Sequence, residues 1–247
     1  MQSGKQTLRD KKVAILAADG FEYVELSVPR AALRLAGAEL EVISLHAGKI
    51  RGMNLTEPTK TVRVDKTLEH AVASDYDALL LPGGFIGPDF LRQSRLAREF
   101  VQAIDAAEKP IATLCHGPWL LVSAELTMGR HLSSWPSLRD DIVHAGGSWH
   151  DLPLVWDRNW LSSRGPQDLG HFVPAMIELF ATGQVSAEHL NGGGRASQSQ
   201  ESSPKPDHPI PAALAAARVL PGPTFRTIGV AALGTAAGVM LARRIAS

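Results

Sequence analysis

KKVAILAADGFEYVELSVPRAALRLAGAELEVISL, residues 11–45, is the stretch on which the fold turns. It begins with KKVAILAA, a short apolar run behind two lysines, the pattern of a strand buried on both faces. Residues 21–37 place Val24, Val28, Ala31, Ala32 and Leu35 at helical spacing and close on Gly37, so they read as an amphipathic helix with a glycine stop. Residues 39–45 return as a strand. A strand, a helix and a strand in immediate succession require a right-handed crossover, which lays the two strands parallel in one sheet.

The same alternation continues outward. Residues 61–64 suggest a short hairpin arm, and residues 77–81 (DALLL) a third buried strand running into Pro82-Gly83-Gly84, whose glycines permit a tight turn. Residues 88–108 read as a helix, 110–114 as a fourth strand and 117–126 as the helix directly after it. The order predicts an α/β, flavodoxin-like, doubly wound and mostly parallel sheet with helices on both faces. Residues 137–145 read as a helix closed by Gly146-Gly147. Residues 152–156 and 159–163 form an antiparallel pair turning at Asp157-Arg158, and residues 166–180 a last helix with Pro166 and Asp168 in its first turn.

The predicted domain spans residues 11–183, followed by a flexible linker over 184–221. Within the linker, GGGRASQSQESSPKPDHP (192–209) is too rich in Gly, Ser, Gln and Pro to bury a core and is expected to be disordered. Residues 222–247 are expected to form an apolar C-terminal helix. Its uncharged run 228–242 (IGVAALGTAAGVMLA) precedes Arg243-Arg244. As a helix that run reaches roughly 22 Å against a hydrocarbon core of about 30 Å, which makes it a candidate for membrane contact or for packing on another helix.

Lys+Arg and Asp+Glu both total 25, so no net field favours nucleic acid. One cysteine allows no internal disulfide, and the polar first residues lack a signal-peptide core, so a reducing cytoplasm is expected. His46, His70, His144, His150 and His171 lack metal-ligand spacing and no phosphate-binding fingerprint is present, so neither metal nor cofactor is expected.

The chemistry concentrates in residues 111–119, IATLCHGPW. A buried strand stops at Cys115 and Gly117-Pro118 opens a helix, so the thiol sits at a helix N-terminus, where partial positive charge favours a thiolate. A lone cysteine is more often a small buried hydrophobe, and the context decides between the two. His116 could act as general base or simply be hydrogen-bonded in place, because adjacent side chains normally diverge.

Ala112-Thr113-Leu114-Cys115-His116-Gly117-Pro118 resembles the nucleophile elbow of the PfpI/ThiJ superfamily, intracellular peptidase-like and deglycase-like stress proteins with a class I glutamine amidotransferase-like fold. Three further segments resemble the family in order: Asp19-Gly20-Phe21-Glu22-Tyr23-Val24-Glu25-Leu26, Leu81-Pro82-Gly83-Gly84, and Ser162-Ser163-Arg164-Gly165-Pro166-Gln167-Asp168-Leu169. The resemblance implies Cys115 as nucleophile, His116 as its acid-base neighbour, the amides of Gly84 and His116 as oxyanion donors, and Glu22 as the acid reaching the thiol. Glu25 is expected on the helix surface. Asp89 stands where the PfpI branch delivers a carboxylate to the histidine of another subunit, implying a homo-oligomer, dimer or hexamer. Trp135 falls where many members have tyrosine, and indole can donate but not accept a hydrogen bond. The implied activity is glyoxalase, deglycase or peptidase chemistry on small carbonyl compounds or modified peptides. The alternative is a non-catalytic redox sensor or chaperone using Cys115 as an oxidisable thiol.

Overall fold

Alternation with a period of two organises the central strands. In β1 (Lys12–Leu16), Val13 and Ile15 enter one hydrophobic cluster while Ala14 and Leu16 enter another on the opposite face. The computed structural model describes residues 7–190, 194–195 and 201–205. In chain order β1 is followed by β2 (Phe21–Glu22), α1 (Tyr23–Leu35), β3 (Glu39–Ser44), β4 (Lys49–Asn54), β5 (Glu57–Arg63), β6 (Lys66–Thr67), β7 (Ala78–Leu81), α2 (Gly87–Gln93) and α3 (Arg95–Ala106). Then come β8 (Ile111–Leu114), α4 (Pro118–Ser123), β9 (His131–Leu132), α5 (Arg139–His144), β10 (Ser148–Trp149), β11 (Val155–Asp157), β12 (Trp160–Ser163), α6 (Leu169–Thr182) and β13 (Gly194–Arg195).

The main sheet has the order β13-β11-β12-β8-β7-β1-β3-β6, and all its pairings are parallel except β11 with β12. Helices α1 and α6 supply Leu26, Ala32, Phe172 and Met176 to one face; α3 and α4 supply Phe100, Val101, Leu120 and Leu121 to the other. The fold is therefore the doubly wound α/β sheet that the strand-helix alternation predicts. Each such leucine or isoleucine contributes about 1.5–3 kcal/mol by leaving water, so burial on both faces explains why the central strands are uninterrupted apolar runs.

Three local features differ from the sequence expectation. The predicted helix 88–108 is two helices, because Ser94 is extended (φ −76°, ψ 122°) and its hydroxyl caps α3 by accepting from Ala97 N. The hairpin arm is longer than residues 61–64: β4 and β5 pair antiparallel beside β2. Within the expected linker, β13 adds to β11, and residues 201–205 hydrogen-bond to β10 and α5. Backbone amides and serine hydroxyls make these last contacts, which hydrophobic periodicity does not register. Among the described residues no helix is long and apolar enough to cross a membrane, and residues 228–242 lie outside the described residues.

Candidate active site

The fourth central strand delivers the cysteine. β8 ends at Leu114 and Cys115 adopts φ +57°, a left-handed conformation that costs a non-glycine residue on the order of 1–3 kcal/mol. Neighbouring strands and loops hold it there: Cys115 N donates to Ser163 O (3.1 Å), and Cys115 O accepts from Trp135 N (2.9 Å). Pro118 then opens α4. The sharp turn brings together two side chains that would normally diverge, placing Cys115 Sγ 3.3 Å from His116 Nδ1.

The glycine turn after β7 closes over the thiol. The Gly84 amide donates toward the Cys115 sulfur, and Gly83 O accepts from Glu22 N at 2.9 Å. A side chain on Gly83 would meet Cys115 Cβ at 2.6 Å, Glu25 Oε2 at 2.7 Å and His116 N at 2.7 Å, so this position must be bare for cysteine, acid and histidine to converge.

The acid at the thiol is Glu25 rather than Glu22. Glu25 is fully buried, its Oε2 accepts from Gly83 N at 2.8 Å, and its carboxyl lies against the Cys115 thiol. Oε1 has no hydrogen-bond partner among the described residues. The expected surface position for Glu25 is thus overturned. Glu22 is buried too, but its Oε2 turns to accept from Leu55 N at 2.8 Å, in the β4–β5 turn, and it acts on sulfur only through its charge. The signal for Glu25 was in the sequence: it shares a helical stripe with the buried Val28 and Ala32, at spacings of three and seven.

Electrostatic influences on the thiol oppose one another. Burial, reinforced by Glu25 and Glu22, pushes the thiol well above its ordinary value, and the Gly84 amide opposes this only in part. The six-residue α4 offers a short dipole against that desolvation. Burial, reinforced by the charge of Glu22, likewise pushes the Glu25 carboxyl well above the ordinary carboxylate range. Burial lowers His116 to about 3, leaving a neutral imidazole. Burial also pushes Glu22 up to about 7.

Glu22 makes stability pH-dependent. Its folded value lies above its ordinary 4.5, so the folded chain holds a proton that the unfolded chain has released. That stabilisation is complete below about pH 4.5, falls as pH rises toward 7, and is gone above it, a change of about 3 kcal/mol. Glu22→Gln keeps an acceptor for Leu55 N and removes the titration. Urea unfolding across this pH range should show the decline in wild type and a flatter profile in the variant.

The sequence model of the DJ-1/PfpI family matches residues 11–179. The chain belongs to that family. A deglycase of Pyrococcus abyssi (strain GE5 / Orsay) is 39% identical over 168 residues, covering 68% of this chain and 98% of the relative. General stress protein 18 of Bacillus subtilis (strain 168) is 37% identical over 164 residues, covering 66% and 93%. A solved DJ-1 superfamily protein from Salmonella typhimurium superposes with a TM-score of 0.62 at 26% identity, covering 74% of this chain and 100% of that one.

Within this DJ-1/PfpI chain the histidine is enclosed by aromatic rings. Trp135 stacks on His116 with centroids 5.7 Å apart and planes at 30°; Phe85 meets the imidazole edge-on at 4.7 Å and Trp119 at 5.1 Å. His116 Nε2 lies 3.4 Å from Ser137 Oγ. Asp89 sits in the first turn of α2, where its carboxylate accepts from Gln93 Nε2 at 3.0 Å; its described contacts do not include His116 of the same chain. Among the described residues no group of three His, Cys, Asp or Glu side chains is placed to hold a metal ion.

Proposed function

We propose that this protein is a cysteine-dependent stress-protection enzyme acting on electrophilic carbonyls, of the glyoxalase or deglycase type. The observation that carries the reading is the convergence of Cys115 Sγ, His116 Nδ1 at 3.3 Å, the Gly84 amide and the buried Glu25 carboxyl in one enclosed turn. Sulfur attacks the carbonyl carbon and its proton passes to His116 Nδ1. The carbonyl π-pair moves to oxygen, where the amides of Gly84 and His116 act as oxyanion donors. Glu25 gives its proton to that oxygen and recovers one from the histidine, leaving a neutral thiohemiacetal. The deglycase name of the Pyrococcus abyssi relative supports this substrate class.

Phe85, Ile86 and Phe90 are 40%, 43% and 45% exposed around Asp89. This apolar rim supports a homo-oligomer, dimer or hexamer, in which Asp89 reaches the histidine of a second subunit. A free thiol and the lack of any disulfide partner support a reducing, cytoplasmic setting.

The test is a panel of methylglyoxal and glycated peptides with purified full-length protein. Wild type is expected to convert methylglyoxal to lactate, an isomerisation plus one water, or to release free amine from the peptides. No turnover of either, combined with selective oxidation of Cys115 by mass spectrometry, would instead support the sensor alternative. Glu25→Gln should keep the Gly83 N acceptor while losing the mobile proton, reducing kcat/KM about 10²–10³-fold with little change in melting temperature.

A further inference from the structure

Residues beyond the DJ-1/PfpI match return to the back of the active-site wall. Ser203 N donates to Trp149 O at 2.8 Å, Ser202 Oγ accepts from Trp149 N at 3.1 Å, and Ser203 Oγ accepts from Asp151 N at 3.2 Å. Arg139 Nε donates to Ser203 O at 3.0 Å, and Lys205 Nζ pairs with the Asp140 carboxylate. The segment 202–205 therefore ties β10 to the start of α5.

Both attachment points lead to the cysteine turn. Trp149 is fully buried and its indole donates to Ser134 Oγ at 3.0 Å; Ser134 Oγ in turn donates to Trp135 O at 2.9 Å. Trp135 N donates to Cys115 O at 2.9 Å, and the Trp135 ring stacks on His116. On the other branch, Arg139 directly follows residues 136–138, whose Ser137 hydroxyl faces His116 Nε2 at 3.4 Å. The strap contributes no apolar side chain to the core, and its contacts are directional hydrogen bonds. Such contacts add little burial but fix the geometry of the groups they join.

We propose that Ser202, Ser203 and Lys205 form a strap that positions Trp135 and Ser137 against His116, making the post-domain segment part of the reactive-thiol apparatus. They are positioning residues, acting through Trp149 and Arg139. The inference rests on Cys115 being the reactive thiol of the proposed function, and its test requires no substrate.

Full-length wild type, Ser203→Pro, and Arg139→Ala beside Arg139→Lys are compared by hydrogen exchange and by the rate at which iodoacetamide alkylates Cys115. Ser203→Pro removes the donor to Trp149 O. It should speed exchange in peptides covering residues 132–138 without changing those covering β1 and β7. It should change the alkylation rate about tenfold, the scale expected when a reacting group is misplaced. In a Trp135→Phe background the same strap substitution should change the rate less than about twofold, because coupled residues are not additive. Arg139→Lys should restore most of what Arg139→Ala loses. Unchanged exchange over 132–138, or the same alkylation change in both backgrounds, overturns the proposal. If wild-type Cys115 does not react at all, the proposed function fails, and the exchange comparison still decides whether the strap orders the wall.

Discussion

Cys115→Ala is expected to reduce methylglyoxal or glycated-peptide turnover to the uncatalysed rate, a loss of about 10³-fold or more. The chain has one cysteine, and no other nucleophile faces both the Gly84 amide and the His116 ring in the described site. Alanine can take the φ of +57° at the cost cysteine already bears, and it removes one buried sulfur. Circular dichroism and thermal melting should therefore report a folded protein, which separates lost chemistry from lost structure. Cys115→Ser should be nearly as inactive. A hydroxyl holds its proton more tightly than a thiol and is the poorer nucleophile in the same place. Retention of even a tenth of wild-type turnover in Cys115→Ala would rule out the nucleophile assignment.

Gly84→Ala is expected to be the most damaging single substitution for stability, costing about 4 kcal/mol or more out of a typical total of about 5–15 kcal/mol. At φ +103° an L side chain is strained, and the added Cβ would lie 2.5 Å from Glu22 N, 2.5 Å from Gly20 O and 2.8 Å from Phe21 C. These are backbone atoms, so no rotamer change relieves the clash. Relief requires β2 to move, which breaks the bond from Glu22 N to Gly83 O and pulls Glu25 from the thiol. Gly48→Ala is the control: Gly48 has φ +95° but no atom within 4 Å of the added carbon, so its cost is the conformational one, about 1–2 kcal/mol. Soluble yield and melting temperature should fall much further for Gly84→Ala. Similar melting temperatures for the two variants would show that close packing at the glycine turn is unimportant.

Much of this molecule was legible from its residues. The apolar runs at 11–18, 77–81 and 110–114 could satisfy their backbone and bury both faces only as central parallel strands, and they do so. The antiparallel pair expected over 152–156 and 159–163 was equally readable; its strands are 155–157 and 160–163, with Arg158 at φ +56° making the turn. Cys115 was placed at a strand end by the same logic, and its neighbours Gly83, Gly84 and Gly117 marked where the chain must pass close to itself.

Choosing between two glutamates was a different problem. Glu22 and Glu25 are three residues apart, and the direction of each depends on what packs across from α1: the Leu55 amide draws Glu22 outward, while the bare Gly83 leaves room for Glu25 beneath the sulfur. The upward push on the thiol depended equally on burial, because desolvation acts only once the surrounding walls exist. The serine-rich segment 202–205 carried no periodic signal, since its attachment consists of hydrogen bonds to strands and helices some fifty residues earlier, as from Trp149 N to Ser202 Oγ across 53 positions. Local pattern determined the strands, the turn and the reactive residue type. The tertiary structure decided which acid meets the sulfur, how deeply the site is buried and what stands behind it, because each of those depends on distances between groups remote in the chain.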